Sequence, residues 1–233
     1  MKIMNQIGTI KNLNVGASHE EMISDWLSIT IWGGEYKGLT SIGANNEIEY
    51  FQHDDSKGLV INRNIDKGLP FDDNSIENIY SSHFIEHLSL TQAKFYFKEA
   101  YRVLKPNGVM RTVCPDISIW IKKVYEREDS FFFDQYKKQL DIDYWENVVY
   151  KEQESIISPI QIFNSMVYNW GHKWMWDYES LNRELCLSGF KTVNQKSFLE
   201  GDLYDLDRIE NCLSPDKIEN RKLESIYVEC RKS

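Results

Sequence analysis

Five titratable side chains fall where the chain's punctuation predicts loops beside apolar runs. His83, Glu86 and His87 share one five-residue stretch; Asp116 follows Val-Met-Arg-Thr-Val-Cys-Pro (109–115); His172 lies in Asn169-Trp-Gly-His-Lys-Trp174. An imidazole titrates near neutral pH, so His83 is a candidate general base for a bound hydroxyl. The competing role is a histidine hydrogen-bonded to loop backbone. Asp116 could hold the same hydroxyl or cap a helix starting at Ile117, since aspartate is a favoured cap. Glu86 and His87 are expected to pack and hydrogen-bond within their loop. His172 stands among Tyr168, Trp170, Trp174 and Trp176, aromatics suited to a wall against a sugar face. Tryptophan is more often core than wall, so a split between the two is expected.

The stretch His83-Phe-Ile-Glu86-His87 also spells H-x-x-E-H, a zinc-peptidase pattern. That chemistry needs a long helix around the motif and a third ligand on a later helix. Here the motif follows an apolar run and stops at Leu88 before Ser89 and Thr91 restart a helix. No metal ligand set is assigned, and a zinc hydrolase built on His83, Glu86 and His87 is a distant third reading.

The elements that must position these residues alternate in type. Short apolar strands are expected at Lys11–Val15, Trp26–Trp32, Ile48–Gln52 and Leu59–Ile61, with 20–25 as one or two helical turns and Gly33–Asn46 as a connection. Leu90–Leu104 reads as a helix, with Ala93, Phe97, Ala100, Tyr101 and Leu104 on one face and Thr91 helping to cap its start. Lys105, Pro106 and Gly108 end it, and Val109–Cys114 follows as a strand. Ile117–Tyr125 and Asp177–Leu187 read as helices. The closing strands are Lys191–Phe198 and Leu223–Cys230, a hairpin edge joined by a polar loop, Glu200–Asn220. Alternation of this kind calls for a parallel, doubly wound α/β sheet of about seven strands. One domain, 1–233, is expected, with 128–168 as a helical insertion or cap after the fifth strand.

Bulk properties narrow the classes. Hydrophobic residues make up 42% of the 233, and seven are Trp, so a packed core is expected. The net charge of −9 and the lack of a basic stripe argue against a nucleic-acid partner. Four widely spaced cysteines form no Cys-x-x-Cys pair, which fits reduced thiols in a cytoplasmic protein. No apolar run approaches the roughly 20 residues of a bilayer span, and the first residues do not form a signal peptide.

Residues 69–116 carry a further pattern: Leu-Pro-Phe (69–71), Ser-Ser-His-x-x-Glu-His (81–87), Arg-Val-Leu-Lys-Pro-x-Gly (102–108) and Pro-Asp (115–116). In that order and density they resemble the class I S-adenosylmethionine-dependent methyltransferases, of the type 11 kind found with bacterial surface-polysaccharide enzymes. The resemblance implies the cofactor S-adenosylmethionine and a cofactor set of Asn14, Gly16, Ser18, Thr30, Asn64, Ile65 and Ser81. It places His83, Asp116 and His172 at the acceptor. Three positions depart from the family pattern. Ser18 replaces the second glycine of the turn, Thr30 replaces the carboxylate that takes the ribose hydroxyls, and Asn64 replaces an aspartate near the adenine. A threonine hydroxyl cannot make the bidentate, charge-assisted bond of a carboxylate. Asp54 and Asp55 read as a solvated acidic turn. The resemblance implies O-methylation of a sugar or glycan precursor in surface-polysaccharide biosynthesis. The alternative is a methyltransferase-like protein with lost or altered cofactor binding, serving as a partner subunit or reusing the cleft; a homo-oligomer is also compatible.

Overall fold

A computed structural model describes residues 9–30, 38–45, 48–56, 58–126, 158–168 and 171–233. Among the described residues nine strands form one sheet in the order β3-β4-β5-β2-β1-β6-β7-β9-β8. They are β1 Asn12–Val15, β2 Leu27–Thr30, β3 Leu39–Asn45, β4 Ile48–His53, β5 Leu59–Asn62, β6 Ile76–Ser82, β7 Leu104–Pro115, β8 Thr192–Lys196 and β9 Ser225–Arg231. The middle five, β5-β2-β1-β6-β7, run parallel. Their short apolar runs are buried on both faces, as a parallel sheet covered by helices requires. The chain builds outward from β1 in both directions, so β1 and β6 flank a topological switch point, where α/β sheets open a crevice at the carboxyl ends of their strands.

The doubly wound α/β architecture is as expected, but the strand count is nine and not seven. Part of the expected connection 33–46 forms β3, paired antiparallel with β4 and bulged between Ser41 and Gly43. This unexpected strand joins the expected β4 in a hairpin at the β5 edge; β4 pairs antiparallel with β5. At the other edge β9 runs antiparallel to both β7 and β8.

Helix α1 (Leu90–Val103) buries Ala93, Tyr96, Phe97, Ala100 and Val103 against the sheet. Ser89, not Thr91, caps it: its hydroxyl accepts from Gln92 N while the Gln92 side chain accepts from Ser89 N. The helix stops because Leu104 turns directly into β7, so Lys105 to Gly108 lie in the strand and not beyond a helix end. Helix α2 (Ile117–Trp120) continues as a π turn over Ile121–Tyr125. Of the expected insertion, 128–157 lies outside the described residues; α3 (Pro159–Tyr168) is its described end. Helix α4 is Tyr178–Leu187, with Asp177 as its cap.

The expected polar loop 200–220 contains two helices, α5 (Leu206–Glu210) and α6 (Pro215–Glu224). Pro215 stands at the first helical position, where its fixed φ and missing N–H cost nothing. What holds this segment down is Arg111 of β7, fully buried. It donates from Nε to Glu210 (2.6 Å) and from its two terminal nitrogens to the carbonyls of Glu200 and Ser197 (both 2.8 Å). Among the described residues no helix is long and apolar enough to cross a membrane.

Candidate functional site

The carboxyl rim of the parallel strands gathers most of the expected residues. Gly16 follows β1 at φ +81°, and its N–H donates to the Ile29 carbonyl at 2.8 Å, tying the turn to β2. A Cβ at this position would stand 2.3 Å from the Phe84 ring, so packing against Phe84 alone requires glycine. Asn14 is buried and donates to the Glu21 carbonyl at 2.8 Å. Ser18 turns inward: its hydroxyl and its N–H both donate to Glu21 Oε2, at 2.7 and 3.0 Å. The other Glu21 oxygen lies 3.3 Å from Arg221 of α6, which also donates to the Ser82 hydroxyl at 2.5 Å. An ionic link therefore spans the switch crevice from the β1 turn to the helix preceding β9.

Thr30 ends β2 and is 1% exposed. Asn64 is exposed and accepts from Asp66 N at 2.9 Å, capping the turn Ile65–Lys67. Ile65 is buried in the main core. Ser81 lies inside the sheet, its hydroxyl donating to that of Thr112 at 3.3 Å. Asn14, Gly16 and Ser18 thus share one turn beside Thr30, Asn64 and Ile65 stand at the β5 end, and Ser81 is set back in the interior.

At the end of β6, His83 stands at φ +46°, fixed by its N–H donating to the Val113 carbonyl at 2.9 Å. Its Nε2 is 2.9 Å from the Ser225 hydroxyl, and its Nδ1 is 3.5 Å from Glu86 Oε1. Burial, reinforced by the positive charge of Arg221, holds the imidazole well below its ordinary range, so the ring is neutral. Glu86 is fully buried, and neither of its oxygens meets a hydrogen-bond donor among the described residues. Burial pushes its carboxyl up to about 8.

His172 crosses over this turn. The N–H groups of Lys173 and Trp174 donate to the Glu86 carbonyl at 2.7 and 3.2 Å, and the His172 ring stands 4.9 Å from that of His87. Burial also lowers the His172 imidazole. Asp116 commits one oxygen to Ser118, accepting from its N–H at 2.8 Å and its hydroxyl at 2.7 Å, as a helix cap does. Among the described residues Glu86, His87 and His172 are the group able to surround a cation. The aromatics split: Trp176 is core, Trp174 and Tyr168 are exposed, and Trp170 lies outside the described residues. Trp174 and Trp176 wall a cavity of about 320 Å3 with Leu90, Asp177, Arg183 and Glu184.

Glu21, Arg221 and Ser225 were not legible as site residues. For Glu21 a signal existed, because Ser18-His-Glu-Glu21 is a capping-box pattern that commits the Ser18 hydroxyl.

The Leu-Pro-Phe to Lys-Pro-x-Gly order now has a strand–turn–helix–strand unit beneath it, with its histidine at the switch point. Residues 43–112 match the family model described as a methyltransferase domain. The methyltransferase-domain match runs from the end of β3 into β7 and includes Asn64, Ile65, Ser81, His83, Glu86 and His87. It leaves out Asn14, Gly16, Ser18 and Thr30, two of which depart from the family pattern, and also Asp116 and His172. No curated protein matches the chain. Among solved structures, an S-adenosylmethionine-dependent methyltransferase from Archaeoglobus fulgidus is 15% identical, with 99% of this chain and 91% of that one covered and a TM-score of 0.49. One from Mesorhizobium loti is 12% identical, covering 95% and 90% at a TM-score of 0.46. A phosphoethanolamine N-methyltransferase from Haemonchus contortus, in complex with S-adenosyl-L-methionine, is 11% identical, covering 99% and 51% at 0.46.

A nucleoside ligand at this rim would meet neutral groups. The left-handed Gly16 turn lies at the switch crevice, the Thr30 hydroxyl at the end of β2, and Asn64 at the end of β5. Each offers single neutral hydrogen bonds in place of a charge-assisted pair.

Proposed function

We propose that this chain is an S-adenosylmethionine-dependent methyltransferase acting on a hydroxyl of a sugar or glycan precursor. The observation that carries this reading is His83, held neutral at the switch-point rim with Nε2 2.9 Å from the Ser225 hydroxyl. Bound S-adenosylmethionine supplies an electrophilic methyl group. Asn14, Gly16, Thr30, Asn64 and Ile65 would hold it along the β1–β2–β5 rim; Ser18, spent on Glu21, acts by shaping the turn. The acceptor proton passes to His83 Nε2 through the Ser225 hydroxyl, which accepts from the acceptor while donating to the ring. Asp116 holds Ser118 and the start of α2, and so positions the rim around this relay.

The cavity beside Trp174 supports a sugar acceptor: an indole face and the charged side chains of Arg183 and Glu184 match a ring with one apolar face and polar edges. The test is transfer of labelled methyl groups to a panel of free sugars and sugar nucleotides. With a productive acceptor, Trp174→Ala is expected to raise the acceptor KM roughly fivefold with kcat unchanged, given about 1 kcal/mol for an aromatic contact. A KM unmoved by this substitution places the acceptor elsewhere.

A second reading is a methyltransferase-like partner subunit with altered cofactor binding. It is favoured by the commitment of the Ser18 hydroxyl to Glu21 and by the neutral Thr30. Binding of the cofactor by the isolated chain separates the two.

A further inference from the structure

We infer that Glu86, His87 and His172 form a binding site for one borderline divalent cation of the zinc type. One ligand atom from each lies within 4.8 Å of the other two. Bonds of about 2.1 Å to a tetrahedral zinc put ligand atoms roughly 3.4 Å apart, so side-chain rotations of about an ångström close the site.

Three features beyond proximity point the same way. Glu86 is fully buried, and neither carboxylate oxygen makes a hydrogen bond among the described residues; the nearest ring nitrogen, His83 Nδ1, is 3.5 Å from Oε1. A buried carboxylate in that state is costly unless a cation or a donor set satisfies it. The His172 Nδ1 lies 2.5 Å from the Met166 carbonyl. A carbonyl only accepts, so Nδ1 carries the proton and Nε2 is the basic ring nitrogen. This is the orientation that outer hydrogen bonds impose on metal-binding histidines. The two halves of the site are also pinned together by the bonds from Lys173 and Trp174 to the Glu86 carbonyl. His87 and His172 are partly exposed, which leaves a route from solvent.

Two imidazoles and a carboxylate suit zinc or a neighbouring first-row ion better than magnesium or calcium, which prefer oxygen. Three protein ligands leave at least one position for water or a substrate oxygen. The peptidase-like pattern is not what the fold uses. Residues 85–87 form only a three-residue turn, and His83 points its Nε2 at Ser225. The inference is independent of methyl transfer.

Chelator-treated, desalted full-length protein titrated with zinc chloride is expected to bind one equivalent and to unfold at a higher temperature. Cobalt in its place reports the ligands through its visible absorption. Glu86→Gln and His172→Gln should abolish both the stoichiometric heat and the thermal shift, whereas His83→Ala should retain them. Circular dichroism of each variant establishes that it is folded, and cobalt spectra of the wild type stand if a variant fails to fold. No stoichiometric binding by the wild type, a cobalt spectrum without nitrogen ligation, or full binding by folded Glu86→Gln or His172→Gln would overturn the assignment.

Discussion

Arg111→Ala is expected to lower the unfolding free energy by about 3–5 kcal/mol, the usual cost of removing one partner from a buried ion pair. Its guanidinium is fully buried and bonds Glu210 Oε1 at 2.6 Å, with Glu229 Oε2 at 3.8 Å. Removing it strands a carboxylate that burial already pushes upward. The Glu200 and Ser197 carbonyls lose their donors as well. The loss falls on a whole segment, because Glu210 also accepts from Leu199 N at 2.6 Å and Asp202 N donates to Glu229 at 3.0 Å. At roughly 2–4 °C per kcal/mol for a chain of this size, the melting temperature should drop by about 6–20 °C. Replacing the pair together, as Arg111→Met with Glu210→Leu, should recover much of that loss, since the desolvation of both charges disappears too. Denaturant titration of the three proteins checks this, and a single-variant loss below about 1 kcal/mol would mean the network carries no net stability.

The second large effect concerns rate. With a productive acceptor, His83→Ala should reduce kcat by roughly 10²- to 10⁴-fold, the ordinary contribution of a positioned base. Ser225→Ala should fall in the same direction by removing the relay 2.9 Å from Nε2. Cofactor affinity should stay constant in both, because the proposed cofactor contacts lie at the ends of β1, β2 and β5. Single-turnover rates measured at saturating cofactor separate these quantities. Unchanged rates in both variants would remove His83 from proton transfer and leave it as a structural histidine.

What was legible in the sequence follows from how each element is stabilised. The α1 helix announces itself because Ala93, Phe97 and Ala100 face one core at helical spacing. Strands β1, β2, β6 and β7 show as apolar runs between turn residues because both their faces are buried. Strand β3 hides in a stretch punctuated by Gly and Asn, since its described residues are mostly exposed and carry no alternation to read, whereas its partner β4 shows as the run Ile48–Gln52. Helix α6 buries no residue, so it has no apolar stripe. α5 is held by a distant arginine that no local pattern predicts.

The site divides in the same way. The rim positions Gly16, Thr30, His83 and Asp116 come from strand ends, which sequence order locates. The partners that decide what those residues do come from elsewhere in the chain. Arg221 reaches Ser82 across 139 positions, and Ser225 reaches His83 across 142. His172 meets Glu86 and His87 only because its segment hydrogen-bonds backbone to backbone over their turn. Long-range contacts of this kind leave no spacing rule to detect.

On the proposed function, the rim of β1, β2 and β5 holds S-adenosylmethionine through neutral groups. Calorimetric titration of the purified chain with S-adenosylmethionine and, separately, with S-adenosylhomocysteine tests this most simply. Saturable binding of both at one site per chain is expected, with a matching rise in melting temperature. Absence of heat and of thermal shift with either ligand at millimolar concentration would contradict it, and would leave the fold to serve as a partner subunit.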